Sequence, residues 1–185
     1  MRLATAPVNW NNPDVPEYRA WIPYGRMMDE FVAAGYDACE WGSNMPSDQA
    51  ILNPELQSRG LTIVGAFVGL ALCDAERRDA ELGRALGIAA FLRATGGTRL
   101  IAADSGDDRR RAEAGHVDPA GGLTDGQWRS LGEGLDELGR RLEPMGMRLV
   151  FHNHVGTYVE TADETARLLD ETDLERVGWC LDRRP

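Results

Sequence analysis

Two of the three histidines in the sequence stand together in His152-Asn153-His154, directly after the apolar run Arg148–Phe151. Imidazole side chains can move protons and bind metal ions near neutral pH. On a regular strand, residues separated by one point to opposite sides, but the backbone usually bends where a strand ends, so both rings can face the same side. The tract is therefore either a site for a small polar molecule or a pair of loop histidines bonded to the backbone. The spacing leaves both interpretations open.

Three carboxylates also stand near predicted strand ends. Glu40 follows apolar residues, where a carboxylate is costly unless it is paired or binds a metal; alternatively, it caps a neighbouring helix. Asp182 ends the apolar run Val177–Leu181, the usual position for a ligand or an acid or base, although it could equally be a solvated acid in a C-terminal tail. Glu160 either favours the start of the following helix electrostatically or turns inward toward His152.

Asn9 and Trp10 follow the first predicted strand, and Trp10 could either stack on the face of a sugar or belong to the core. His116, in a glycine-rich segment, is predicted to be a surface residue. The basic run Arg109-Arg110-Arg111 sits beside two aspartates, which indicates a solvated loop rather than a patch for nucleic acid.

The elements that position these residues alternate along the chain. Apolar runs predict six strands, and helical spacing, capping boxes and terminal glycines predict five intervening helices. The predicted strands are Arg2–Ala6, Asp37–Trp41, Leu61–Leu70, Thr98–Ala103, Arg148–Phe151 and Val177–Leu181. The predicted helices are Tyr24–Ala34, one from Asn53 to Gly60, Asp74–Thr95, one from Thr124 to about Leu142 and one opened by Thr161. Gly106–Gly122 is predicted to be a loop.

This alternation predicts a parallel α/β fold. A dinucleotide-binding doubly wound sheet would carry a glycine fingerprint after its first strand, but Pro7–Pro13 contains no glycine. A closed (β/α)₈ barrel normally needs about 250 residues and eight strands. The 185 residues fit one domain with a sizeable core. The pattern alone leaves the choice between barrel and open sheet undecided.

Composition narrows the function classes. The net charge of −10 opposes attraction to phosphate backbones, so nucleic-acid binding is not expected. There is no apolar run of about 18 residues and no signal-peptide pattern, so we expect neither membrane insertion nor secretion. Three cysteines at scattered positions indicate reduced thiols and a cytoplasmic protein.

Several segments resemble the xylose isomerase-like TIM-barrel family of sugar phosphate isomerases and epimerases, particularly its inosose dehydratase-like branch, and they follow one another along the chain in the order found in that family. The most specific are Phe151–Thr161 (FHNHVGTYVET) and Val177–Asp182 (VGWCLD), followed by Val8–Trp10, Tyr36–Gly42, Gly60–Phe67 and Leu123–Trp128. The resemblance implies a single, incomplete (β/α)₈ TIM barrel over residues 1–185, with strands one to six present and strands seven and eight absent. It also implies proton abstraction next to a carbonyl of a sugar or inositol derivative, leading to isomerisation, epimerisation or dehydration.

The resemblance further implies a divalent metal, with manganese first and magnesium or cobalt as alternatives. Asp182 matches a strand-six metal ligand. Many relatives have a glutamate ligand where this chain has His152, so either His152 binds the metal or Glu160 replaces it, Glu160 then also serving in catalysis. His154 matches a catalytic, substrate-side histidine. Asn9, Trp10 and Glu40 match residues that line the substrate pocket.

The resemblance stops after Asp182, where relatives continue with Thr-Gly-His and further barrel elements. We expect a frameshift, an early stop or a gene-model error to account for this ending. The alternative to an enzyme is an inactive barrel fragment that serves at most in binding or in homo-oligomerisation through its open sheet edges. DNA repair endonucleases share this barrel, but the acidic charge and the short ligand set argue against that activity.

Overall fold

The structure, a computed structural model, describes residues 3–42 and 44–181. Five parallel strands form one sheet in the order β1-β2-β3-β4-β5, which is their order along the chain. The strands are β1 (Ala38–Trp41), β2 (Thr62–Leu70), β3 (Arg99–Asp104), β4 (Arg148–Phe151) and β5 (Val177–Trp179). The α-helices are α1 (Tyr24–Ala33), α2 (Gln49–Arg59), α3 (Arg78–Ala94), α4 (Asp108–Ala112), α5 (Asp125–Leu142) and α6 (Ala162–Glu171). The predicted parallel α/β class is confirmed.

The described residues 3–42, 44–67 and 90–99 form the first of two compact units. Within it, α1 buries Met27, Met28 and Phe31 completely. The pairing of β1 with β2 shifts register between Cys39 and Glu40, because Cys39 lies opposite Ile63 whereas Glu40 lies opposite Gly65. Such an irregularity re-aims the side chain that follows it, and here that side chain is the carboxylate of Glu40.

The described residues 68–89 and 100–181 form the second compact unit. Helix α5 buries one stripe of side chains at spacings of three and four residues, which is the pattern of a helix packed on one face: Trp128, Leu131, Leu135, Leu138 and Leu142. In β4, Leu149 and Phe151 are buried, and the strand pairs in parallel with β5 from Leu149 opposite Val177 onward. The polar residues that follow β4 therefore start from a firmly packed strand.

Two helix starts were predicted from local side-chain chemistry, and both are confirmed. Thr124 accepts a hydrogen bond from the backbone of Gln127 at the start of α5, and Thr161 does the same for Glu164 at the start of α6. In each case the side chain of the third helical residue reaches back to the capping residue, which completes a capping box.

Other predicted boundaries were wrong. The first predicted strand is reduced, among described residues, to one parallel bridge between Thr5 and Cys39, because Pro7 opens a 3₁₀-helix directly afterwards. Helix α2 starts at Gln49 rather than near Asn53, because Asp48 caps it and Pro54 is accommodated inside. Helix α3 starts at Arg78, not Asp74. The described residues thus contain five strands and six α-helices instead of six and five.

Candidate active site at the carboxyl end of strand β4

The His152-Asn153-His154 tract lies where β4 ends. The backbone N–H of His152 donates to Ala102 O at 2.8 Å, so pairing with β3 continues one residue past the strand. Beyond this point the chain turns, and the rings of His152 and His154 approach to 5.6 Å between centroids, at an interplanar angle of 76°. Both side chains are half-buried. The structure therefore brings the two predicted histidines together.

The ring of His154 is held in one orientation by its own neighbourhood. Its Nδ1 lies 2.8 Å from Val155 O. A carbonyl oxygen can only accept a hydrogen bond, so Nδ1 must carry the proton in this contact. In the neutral ring Nε2 is then the basic nitrogen, which is the state that a general base needs.

Glu160 holds the turn that follows the histidines. Its Oε2 accepts a hydrogen bond from Gly156 N at 2.6 Å, and its Oε1 accepts one from Gly115 N at 2.7 Å. Both carboxylate oxygens thus have backbone partners, one inside the turn and one in the segment that follows β3. The two roles that the sequence suggested for Glu160, a charge at the helix start and an inward-pointing metal ligand, stay predictions.

Asp104, the last residue of β3, is buried at 2% relative exposure. Its Oδ2 accepts hydrogen bonds from Gly106 N and Tyr158 N, each at 2.9 Å, and its Oδ1 is also buried. Burial raises the pKa of Asp104, although the two N–H donors act in the opposite direction. The predicted strand Thr98–Ala103 ends directly before Asp104, so the signal in the sequence was an acid that follows an apolar run.

Arg110, on the short helix α4, corrects the prediction of a solvated basic loop. Its side chain is fully buried and forms an ion pair with Glu164, in which Nη2 donates to both carboxylate oxygens at 2.8 and 2.9 Å. Its Nε donates to Thr157 O at 2.7 Å. A buried guanidinium is stable only when it is paired in this way. Three adjacent arginines give no local signal for which one turns inward.

In the first compact unit, Asn9 and Trp10 line a pocket of about 410 Å³, together with Asn11, Asn12, Arg19, Tyr18, Trp21, Val8 and Val15. The Trp10 indole N–H donates to Glu30 at 2.8 Å, and the ring packs edge-on against Phe31 at 4.6 Å. The Trp10 side chain is thus held against α1 while the residue still lines the pocket.

Glu40, also in the first compact unit, is half-buried at the end of β1. Burial raises the pKa of its carboxyl group above the ordinary value. Burial also raises the pKa of the neighbouring Cys39 thiol to about 12, with a smaller contribution from the charge of Glu40. A carboxyl group whose pKa is raised at a strand end is a candidate for binding or acid–base work.

The described residues alone do not form a metal site. His152 supplies an imidazole at the strand end, but in residues 3–42 and 44–181 no three His, Cys, Asp or Glu side chains gather into a cluster that could hold an ion. Asp182, the predicted strand-six ligand, lies outside the described residues.

Within residues 3–42 and 44–181, no helix combines the length and apolarity needed to cross a bilayer.

The family model of the xylose isomerase-like TIM barrel matches residues 28–183. An inosose dehydratase of Geobacillus thermodenitrificans is 32% identical over 184 residues, which cover 98% of this chain and 61% of that protein. The chain therefore spans about three fifths of the length of the curated relatives it matches.

Solved structures share the fold. The probable 3-DHS dehydratase AsbF of Bacillus anthracis superposes with a TM-score of 0.69 at 13% identity, covering 97% of this chain and 62% of that one. A xylose isomerase-like TIM barrel protein of Mycobacterium smegmatis, solved in complex with magnesium, superposes with a TM-score of 0.65 at 20% identity, covering 96% and 63%. The predicted TIM-barrel fold class is thereby confirmed.

Proposed function

The chain belongs to the xylose isomerase-like TIM-barrel family, and from that premise we propose that it takes part in proton abstraction next to a carbonyl of a sugar or inositol derivative. The observation that carries the proposal is the pair His152 and His154, whose rings lie 5.6 Å apart at the carboxyl end of β4. Barrels of this kind place their chemistry at that end of the strands. The similarity to inosose dehydratases over 98% of the chain supports a cyclitol ketone as the substrate.

In the proposed reaction, Nε2 of His154 takes the proton from the carbon next to the carbonyl. The contact between Nδ1 and Val155 O keeps the ring in the tautomer that this step requires. Return of the proton to the other face would epimerise the substrate. Protonation of the former carbonyl carbon, with transfer of the neighbouring hydroxyl proton to the former carbonyl oxygen, would isomerise it. Loss of the neighbouring hydroxyl as water would dehydrate it. A positioned general base of this kind typically contributes about 10²- to 10⁴-fold in rate.

We assign His152 and Asp182 as ligands of a divalent metal, manganese first and magnesium or cobalt as alternatives. Glu160 is the weaker candidate because both of its oxygens have backbone partners. When bound, such an ion polarises the carbonyl and hydroxyl oxygens of the substrate. Asn9, Trp10 and Glu40 are proposed to bind the substrate. The cytoplasmic setting predicted from the three scattered cysteines of the sequence is part of the same proposal.

The test is solvent exchange. The chain is incubated with an inosose and Mn²⁺ in D₂O, and proton NMR follows the signal of the hydrogen next to the carbonyl. We expect this signal to disappear faster than in a protein-free control that contains the same Mn²⁺. Equal rates in the two samples would refute the function.

A further inference from the structure

The segment that carries the histidines is tied to the segment after β3 by a set of buried and half-buried contacts that the proposed reaction does not itself use. We infer that Arg110 is a positioning residue for His154, acting through Thr157 and Glu164. This inference rests on the proposed function, because His154 is the group being positioned.

The path from Arg110 to His154 consists of two hydrogen bonds in series. Arg110 Nε donates to Thr157 O at 2.7 Å, and the Thr157 hydroxyl donates to His154 O at 2.7 Å. The backbone N–H of His154 is also fixed, because it donates to Val159 O at 3.1 Å. A shift of Thr157 must therefore move the backbone from which the His154 ring projects.

The other end of Arg110 secures the same turn from a different side. Its Nη2 pairs with both oxygens of Glu164, and Glu164 Oε2 accepts from Glu160 N at 3.0 Å and from Thr161 N at 2.9 Å. Arg110 thus holds the turn on both sides: the carbonyl of Thr157 on one and, through Glu164, the backbone at residues 160 and 161 on the other. Lysine would not reproduce this arrangement, since it lacks the planar fork of donors.

Two further contacts limit the freedom of the turn without replacing Arg110. Asp104 accepts from Tyr158 N at 2.9 Å, and the Tyr158 hydroxyl donates to Asp107 at 2.6 Å. The Arg110 guanidinium lies over the Tyr158 ring at 5.2 Å from its centroid. Removing Arg110 therefore loosens the turn while leaving it attached, which is the condition for a small displacement of His154 rather than unfolding.

The experiment uses the full chain with labelled histidines, and compares Arg110→Met, Arg110→Lys and the double variant Arg110→Met with Glu164→Gln. The double variant leaves no unpaired buried charge, and glutamine keeps the capping box, so its urea midpoint should return toward that of the wild type. Arg140→Met is the matched control, because Arg140 forms an ion pair with Glu137 on the exposed face of α5.

We expect the ring signals of His154 to shift in all three Arg110 variants, including the double variant, and to stay unchanged in Arg140→Met. In the exchange assay, kcat should fall on the order of 100-fold with a much smaller change in KM, because a displacement of about 1 Å is enough for such a loss. Wild-type ring signals in the double variant would overturn the inference. If the wild type is active in the exchange assay, an unchanged kcat in the Arg110 variants would also overturn the inference. If the wild type shows no exchange at all, the proposed function fails while the ring signals still decide the positioning role.

Discussion

The contact between the segments that follow β3 and β4 predicts a large difference between two glycine substitutions. Gly106 has φ of +58°, and a Cβ there would lie 2.4 Å from Gly156 O and 3.2 Å from Thr157 Cα. Gly115, in the same segment, has φ of +78° but nothing within 4 Å of its Cβ position. Alanine at either position adopts a left-handed backbone conformation, which costs about 1–2 kcal/mol. Only Gly106→Ala also forces two backbones apart, which costs about 1–3 kcal/mol more.

We therefore expect the free energy of unfolding to fall by about 1–2 kcal/mol in Gly115→Ala and by about 2–5 kcal/mol in Gly106→Ala. Both decreases are a substantial share of the free energy of unfolding of a typical domain, which is about 5–15 kcal/mol. Urea unfolding, followed by circular dichroism and extrapolated linearly, measures each difference. The close approach of the two segments would be refuted if the two variants agreed within about 0.5 kcal/mol, the ordinary error of such comparisons.

Three further predictions concern burial and capping. Burial raises the pKa of Asp104 in the folded protein above its value in the unfolded chain. The free energy of unfolding of the wild type should therefore fall as the pH rises from the pKa of the unfolded state through that of the folded state. Asp104→Asn should lack this decline when urea midpoints are compared over a pH series, and parallel profiles would contradict the assignment. Thr161→Ala should lower the free energy of unfolding by about 1 kcal/mol through loss of the α6 cap, whereas Thr161→Ser should change the urea midpoint far less. Burial raises the pKa of Cys39 and of Cys73 to about 12. Iodoacetamide at pH 8 should therefore modify both thiols much more slowly in the folded protein than in urea, which peptide mass spectrometry can measure. Equal rates would show that these thiols are not protected.

Features set by neighbouring residues could be predicted from the sequence. Each capping box needs only four consecutive residues, so Thr124 and Thr161 identified the starts of α5 and α6 correctly. Strand β4 was predicted with its observed bounds because an apolar run between a turn and a polar tract is a local pattern. The same pattern pointed to the histidines that follow it.

Features set by distant residues could not be predicted. Arg110 is buried only because Glu164 and the carbonyl of Thr157 meet it from the segment after β4, about fifty positions along the chain. The backbone partners of Glu160 could not be predicted either, because Gly115, which supplies one of its two donors, lies 45 positions away in the sequence. The first strand was overpredicted because Pro7 starts a helical turn that short apolar runs do not reveal.

The most direct test of the central claim compares His154→Gln with His116→Gln in the deuterium-exchange assay with an inosose and Mn²⁺. His116 is the remaining histidine of the sequence and is exposed in the segment after β3. Removal of the proposed base should slow exchange by about 10²- to 10⁴-fold, whereas His116→Gln should exchange at the wild-type rate. Wild-type exchange in His154→Gln would contradict the assignment of the reaction to the carboxyl end of β4.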